Sequence, residues 1–298
     1  MRDDTLIVLR QSGERTRFAS RESALMQVPE AQVVTVSEAP FTRTLRRAYE
    51  VGLERGFRWT LCLDADVILR PGGLDTLVQA AEQYDDTLFV LQGLCWDKFF
   101  GGPKSTPPYL YRTKHLEVAI PLIPGDDEVK RPESNTNGQM AAKGYLREQI
   151  DAVIGLHGHE QFYRDVFRVC FSHAIKHSRY MAALQPMWKR NAREDPDFLI
   201  ALWGAQTGDL FKTGVALDRR TFAQLHEVLP MFGMAEKEDG PFPFDVEAVG
   251  EMLDKHTPPP EYYEFLQILD NVGQPPGVLH HVGSFVQKLG NRIQGLAK

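Results

Sequence analysis

The chain has 298 residues, a formal net charge of −6 and 43% hydrophobic residues. That apolar content suits one large domain or a domain with a substantial appendage, and excludes a mainly disordered chain. The acidic balance and the lack of a long basic run argue against a general nucleic-acid binder. Cys62, Cys95 and Cys170 are odd in number and sit among apolar or aromatic neighbours, so they read as reduced core residues rather than a disulfide framework. Met1-Arg2-Asp3-Asp4 leads straight into a strand-like run without the apolar core of a signal peptide. No uninterrupted apolar segment approaches membrane-spanning length, so the expected location is the cytoplasm.

The first 95 residues alternate strand-like and helix-like patterns. Thr5 to Leu9 reads as a strand, Thr16 to Gln27 as a helix, Gln32 to Val36 as a strand, Phe41 to Arg55 as a helix and Arg58 to Leu63 as a strand. Such alternation predicts a mostly parallel α/β sheet flanked by helices. Phe41, Leu45, Ala48 and Gly52 share one helical face, and Gly56 stands where a C-cap belongs. Pro71 suits a first helical turn, Leu74, Leu77, Val78 and Ala81 continue it, and Thr87 to Gln92 is the next strand. From Gly93 to Arg131 the expectation is a long irregular loop with extended pieces at Tyr109 to Thr113 and Leu116 to Ile120. A helix is expected from Glu160 to Tyr180, then a mainly helical region broken by Thr257-Pro258-Pro259-Pro260 and Pro275-Pro276. The predicted division is therefore residues 1–180 as an α/β domain and 181–298 as a helical C-terminal extension.

The most informative stretch is Leu61-Cys62-Leu63-Asp64-Ala65-Asp66-Val67, an apolar strand that ends in two carboxylates one residue apart. With 20 aspartates in the chain, chance supplies about one such doublet, and Asp195-Pro196-Asp197 is a second copy. Only the first follows a β-prone apolar run. In open α/β sheets ligands bind beyond the carboxyl ends of the strands. Arg10-Gln11-Ser12-Gly13, Ser37-Glu38 and Asp64-Ala65-Asp66 all fall at such ends.

Over roughly residues 5 to 180 the chain resembles the GT-A nucleotide-sugar glycosyltransferases. The resemblance lies in the helix Arg43-Thr44-Leu45-Arg46-Arg47-Ala48-Tyr49-Glu50-Val51-Gly52-Leu53, the DxD-like Asp64-Ala65-Asp66, and the Arg70-Pro71-Gly72-Gly73-Leu74 helix start. It implies transfer of a sugar from a nucleoside diphosphate to a saccharide or lipid-linked acceptor, with inversion, as in bacterial surface-polysaccharide synthesis. A divalent cation, Mn2+ or Mg2+, would neutralise the charge growing on the departing diphosphate, and carboxylate oxygens suit such ions. The resemblance makes Asp66 a metal ligand and Asp64 a contact to the ribose or the metal. His157 would be the third ligand, with His159 as its substitute, and an imidazole favours Mn2+.

The same resemblance assigns Arg10, Glu38 and Arg43 to the nucleotide sugar. It places acceptor-binding residues at Trp96, Asp97, Tyr111 and Arg112, where sugar C–H faces pack on rings and polar groups hold hydroxyls. An inverting transfer also needs a base, for which the acidic residues are Glu133 first, then Asp127 and Asp126. A Glu-Asp base motif of the usual form is missing.

Several readings compete with these. Asp64 and Asp66 could cap a helix, and His157 could cap the helix beginning near Glu160. A strand ending Asp-x-Asp also resembles haloacid-dehalogenase-like phosphotransferases, and a non-catalytic nucleotide-sugar-binding protein is a third reading. His173 and His177 stand four apart with no third zinc ligand nearby. Arg164, Arg168, Lys176, His177 and Arg179 form a basic helical face suited to a phosphate or merely to solvent. Phe285, Leu289, Ile293 and Leu296, with Lys288, Arg292 and Lys298, make a short basic amphipathic helix. It would dock on the inner membrane face, or pack on the catalytic domain or a partner subunit.

Overall fold

The computed structural model describes residues 1–126, 128–129, 131–176, 178–211 and 225–270. It divides into two compact units. One comprises Met1–Trp96, Pro103–His159 and Pro241–His256; the other comprises Asp97–Gly102, Glu160–Gly240 and the described residues from Thr257.

The first unit begins β1 (Thr5–Arg10), α1 (Arg17–Leu25), β2 (Val33–Val36), α2 (Phe41–Arg55), β3 (Trp59–Asp64), β4 (Val67–Leu69) and α3 (Gly73–Ala81). It continues with β5 (Leu88–Asp97), β6 (Gly102–Arg112), α4 (Leu116–Ala119), α5 (Pro132–Ala142) and β7 (Leu146–His157). The seven strands form one sheet in the order β2-β1-β3-β6-β5-β7-β4, the Rossmann-like α/β class flanked by helices that the alternation predicts. β1 lies parallel to both β2 and β3, with Arg10 registered against Val36 and Asp64. β6 runs antiparallel to β3, and β7 antiparallel to β4, with Val67 opposite His157.

Both faces of the central strands are covered, which is why they read as near-continuous apolar runs. Ile7, Leu9, Leu61 and Leu63 pack on one side with Leu74, Leu77 and Val78 of α3. Leu6, Val8 and Cys62 pack on the other with Leu45, Ala48 and Tyr49 of α2. α2 ends at Gly56, whose φ of 69° closes the helix through its N–H to Gly52 O.

The segment expected to be irregular is instead a β5–β6 hairpin. Asp97 closes its turn, with Oδ1 accepting from the backbone N–H groups of Phe99 (2.9 Å) and Phe100 (3.1 Å). Leu116 to Ile120, expected to be extended, is helical in α4, because Leu116 and Ala119 are three apart and both are buried.

The second unit holds α6 (Tyr163–Lys176), α7 (Ser178–Asn191), α8 (Pro196–Phe211), α9 (Leu225–Val228) and the helix Pro260–Asp270. The single helix expected over 160–180 is thus two elements. α6 and α8 approach closely where α8 carries glycine: a Cβ at Gly204 or Gly208 would stand 2.5 Å from the carbonyl oxygens of Phe167 and Phe171. Phe99 and Phe100 enter this unit's core, where Trp188 Nε1 donates to Phe99 O at 2.7 Å. The Asp195-Pro196-Asp197 doublet starts α8. Asp197 is fully buried and holds Lys98 (2.6 Å) and Lys237 (2.7 Å), so its carboxylate is part of a structural ion-pair cluster.

Candidate functional site

The parallel register carries Arg10 and Asp64 to the carboxyl ends of adjacent strands. There Arg10 Nε donates to Asp64 Oδ1 at 2.7 Å, and the Ala65 N–H donates to the Arg10 carbonyl at 2.9 Å. Hydroxyls of α1 and its approach hold the next turn: Thr16 Oγ1 donates to Ala65 O at 2.7 Å and Ser20 Oγ to Asp64 O at 3.5 Å. The β4–β7 pairing brings Asp66 to His157, with Oδ2 and Nε2 3.5 Å apart. Gly158, at φ 68°, returns its N–H to Asp66 O at 3.1 Å. One turn thus presents Asp64 toward β1 and Asp66 toward β7.

Behind Arg10 lies a buried polar group. Glu133, in the first turn of α5, accepts at Oε1 from Arg10 Nη1 (2.7 Å) and from the Tyr111 hydroxyl (2.8 Å). Arg10 and Glu133 are 3% and 6% exposed, and Phe41 stacks on the guanidinium at 5.2 Å. Burial works against the Arg10 charge, but Asp64 and Glu133 more than reverse that and hold the guanidinium well above its ordinary range. Burial raises the Tyr111 phenol, and Glu133 raises it further, so it stays a donor. Burial also drives the Asp64 carboxyl up to about 7; Arg10 opposes the rise while Asp66 and Glu133 add to it. Two carboxylates, Asp64 and Glu133, therefore face one guanidinium, and Asp66 adds a further acidic group on the same turn, so the surplus is negative.

The other sequence candidates fall elsewhere. Asp126 accepts from Thr42 Oγ1 and from Arg43 Nη2 (2.9 Å), contacts that hold its carboxyl below the usual range. Arg43 is thereby committed to Asp126. Glu38 is exposed, its Oε2 accepting from the Ser37 N–H at 3.1 Å. Asp127 lies outside the described residues, as do His177 and the 285–298 segment.

The residues expected to bind an acceptor do not gather. Asp97 is 2% exposed and caps the hairpin turn in the second unit. Trp96 is buried in the first unit with its ring edge toward His256, centroids 5.0 Å apart. Tyr111 supports Glu133. Arg112 is registered against Trp59, at the amino end of β3, and binds Asp86 (3.0 Å) and the Asp85 carbonyl (2.9 Å). Five residues at about 3.3 Å each separate that end of the strand from Asp64. A cavity of about 490 Å³ opens beside Arg58, Arg112 and Lys114 at this same amino end.

Sequence reasoning did not find Tyr111 as a partner of Glu133, Asn137 as a second acceptor for the Tyr111 hydroxyl, or the anchoring hydroxyls of Thr16 and Ser20. Thr16 had one legible signal, its place between a strand-end loop and a helix.

A divalent cation can be tested against this donor set. Among the described residues no three His, Cys, Asp or Glu side chains converge as a metal site. Asp66 and His157 alone offer one oxygen and one nitrogen donor. Such a pair fits an ion that takes its remaining ligands from water and substrate phosphates, as Mg2+-type sites do. Also among the described residues, no helix is long and apolar enough to cross a membrane.

No protein-family model and no curated protein matches the chain. Solved structures that resemble it include a glycosyltransferase involved in glycosylating the major capsid of PBCV-1. It is 11% identical, covers 53% of this chain and 94% of its own, and has a TM-score of 0.37. The mannosyltransferase PcManGT of Pyrobaculum calidifontis, in complex with GDP-Man and Mn2+, is 12% identical over 92% of this chain and 89% of its own, at 0.40. A cytidylyltransferase from Leptospira borgpetersenii is 9% identical over 57% and 87%, also at 0.40. Glycosyltransferases and nucleotidyltransferases thus both occur among the neighbours, and likeness of this degree says nothing of substrate or mechanism.

Proposed function

We propose that the chain is a transferase acting on a nucleoside-diphosphate sugar, with Asp66 and His157 as the protein's ligands to Mn2+ or Mg2+. The observation that carries this reading is the strand-end turn, where Asp64 is turned to a buried Arg10 and Asp66 to His157. Surplus negative charge at that turn favours a cation, and the cation would in turn bind a diphosphate. When bound, such an ion supplies charge neutralisation for a departing diphosphate.

The chain's own residues would do the rest. Arg10 fixes Asp64 toward the nucleotide, and Glu38 lies past β2, where a base or ribose would be met. The acceptor is a saccharide or a lipid-linked molecule, and the sugar's transfer is inverting. Of the acidic residues considered for the base, Asp126 is weakened by Thr42 and Arg43, since a carboxyl held below its usual range is a poorer proton acceptor. Asp64 suits a phosphotransferase nucleophile less well, because Arg10 already occupies its Oδ1.

The test is a thermal-shift and calorimetric screen of nucleoside diphosphates and their sugars with and without Mn2+, on the wild-type chain and Asp66→Ala. Mn2+-dependent binding that disappears in the variant supports the reading. Equal binding by both proteins, or no dependence on the metal, overturns it.

A further inference from the structure

We propose that Glu133 is a positioning residue that, by sharing Arg10, determines how much of the Asp64 carboxylate is left for the cation and diphosphate. This rests on the functional reading above, and assigns Glu133 a part other than that of the transfer's base.

The geometry of the guanidinium is the starting point. Arginine binds a carboxylate most strongly through two parallel N–H groups, and the side-on fork uses Nε with Nη2. Here Arg10 gives Asp64 only Nε, and gives Nη1 to Glu133. Nη2, the atom that would complete the fork on Asp64, is buried and has no hydrogen-bond partner. An unmade bond on a buried cation is costly, so something must hold the guanidinium back from the better pairing.

Glu133 does so. It is fixed in the first turn of α5 behind Pro132, and the buried Tyr111 hydroxyl donates to the same Oε1 that takes Arg10 Nη1. Tyr111 is itself held edge-on by Tyr49, with ring centroids 5.0 Å apart. Glu133 and Asp64 therefore compete for one cation from opposite sides. Neutralising Glu133 would let Arg10 swing Nη2 onto Asp64 and close it in a two-bond pair.

The experiment uses the full chain and Mn2+ itself as the probe, titrated by calorimetry with and without UDP or GDP. Glu133→Gln, checked for an intact fold by circular dichroism, is expected to weaken Mn2+ binding about tenfold, the lower end of what outer partners of metal ligands contribute. Arg10→Met/Glu133→Gln is expected to restore it, because the competing cation is gone. A merely structural role would make the double variant worse than either single one, and a general-base role would leave Mn2+ affinity untouched. A crystal structure of Glu133→Gln should place both Nε and Nη2 of Arg10 on Asp64. Wild-type binding with Glu133→Gln unchanged, a double variant no better than Glu133→Gln, or a variant structure with Arg10 unmoved overturns this proposal alone. A wild-type chain that binds neither Mn2+ nor nucleotide overturns the functional reading and this with it.

Discussion

Gly155→Ala tests how tightly the backbone holds the turn that carries Asp66. Gly155 faces Leu69 in the β4–β7 pairing, two residues before His157. A Cβ placed there would stand 2.7 Å from the Ile68 carbonyl oxygen, where a carbon and an oxygen need about 3.4 Å. The strands would have to part by about 0.7 Å, and the obstacle is backbone rather than the end of a flexible side chain. The two strands cannot easily part, because one residue beyond β4 the Arg70 N–H donates to the Ile154 carbonyl of β7 at 3.0 Å, and that carbonyl lies 2.7 Å from where a Cβ on Gly73 would be. Overpacking of this kind costs about 2–3 kcal/mol. For a protein of this size that is a fall in Tm of roughly 3–5 °C. Differential scanning calorimetry measures it, and Mn2+ titration of the same variant should show weaker binding as Asp66 and His157 separate. Gly138→Ala, in α5 with nothing within 4 Å of the added carbon, is the control and should be neutral or stabilising by up to about 1 kcal/mol. A Gly155→Ala protein that melts within about 2 °C of wild type would refute the claim that the pairing is sterically closed.

Two further outcomes follow from buried charge. The folded-state pKa of Asp64 is raised from 3.8 to about 7, so the stability it contributes is complete below pH 3.8 and is lost as pH rises through 7. Allowing for its partial exposure, the loss is about 2 kcal/mol; urea titrations at pH 5 and 8 should show it in wild type and not in Asp64→Asn, and a pH dependence unchanged in the variant would dismiss it. Asp197→Ala removes the carboxylate that Lys98 and Lys237 share, while Asp195 still pairs with Lys98 (2.6 Å) and Glu160 with Lys237 (3.1 Å), and should cost about 1–3 kcal/mol. Chemical denaturation showing a loss under about 0.5 kcal/mol, the noise of a surface change, would mean that Asp195 and Glu160 alone satisfy both lysines.

Most elements of the first 95 residues were legible because each is a local pattern: apolar alternation, a shared helical face, Gly56 at a C-cap; the three-residue β4 was not, being too short to show a pattern and defined by its pairing with β7. The helix Phe41–Arg55 has the bounds its periodicity predicts. Arg10 was legible as a strand-end residue, but its meaning was not, because Glu133 lies 123 positions away and only the fold brings α5 behind β1. Asp97 illustrates the opposite difficulty. An acid among aromatics reads like an acceptor site, yet a short acidic side chain two residues before a turn's N–H groups is also how a hairpin closes itself. Arg112 was misplaced for want of direction, since a single sequence does not say that β6 runs antiparallel to β3 and so ends at the far edge.

The order in which the two units use the polypeptide has a practical result. Their boundaries fall after Trp96, Gly102, His159, Gly240 and His256, so neither unit is a continuous stretch of gene. A fragment stopping at residue 159 would retain Phe99 and Phe100 but discard Trp188, Phe198 and Phe265, the rings they pack against. It would also lack the strand-distant return of Val246, Val249 and Leu253 onto Ile68 and Leu156. Expression trials and domain-swapped chimeras built on a single cut would therefore yield two incomplete cores.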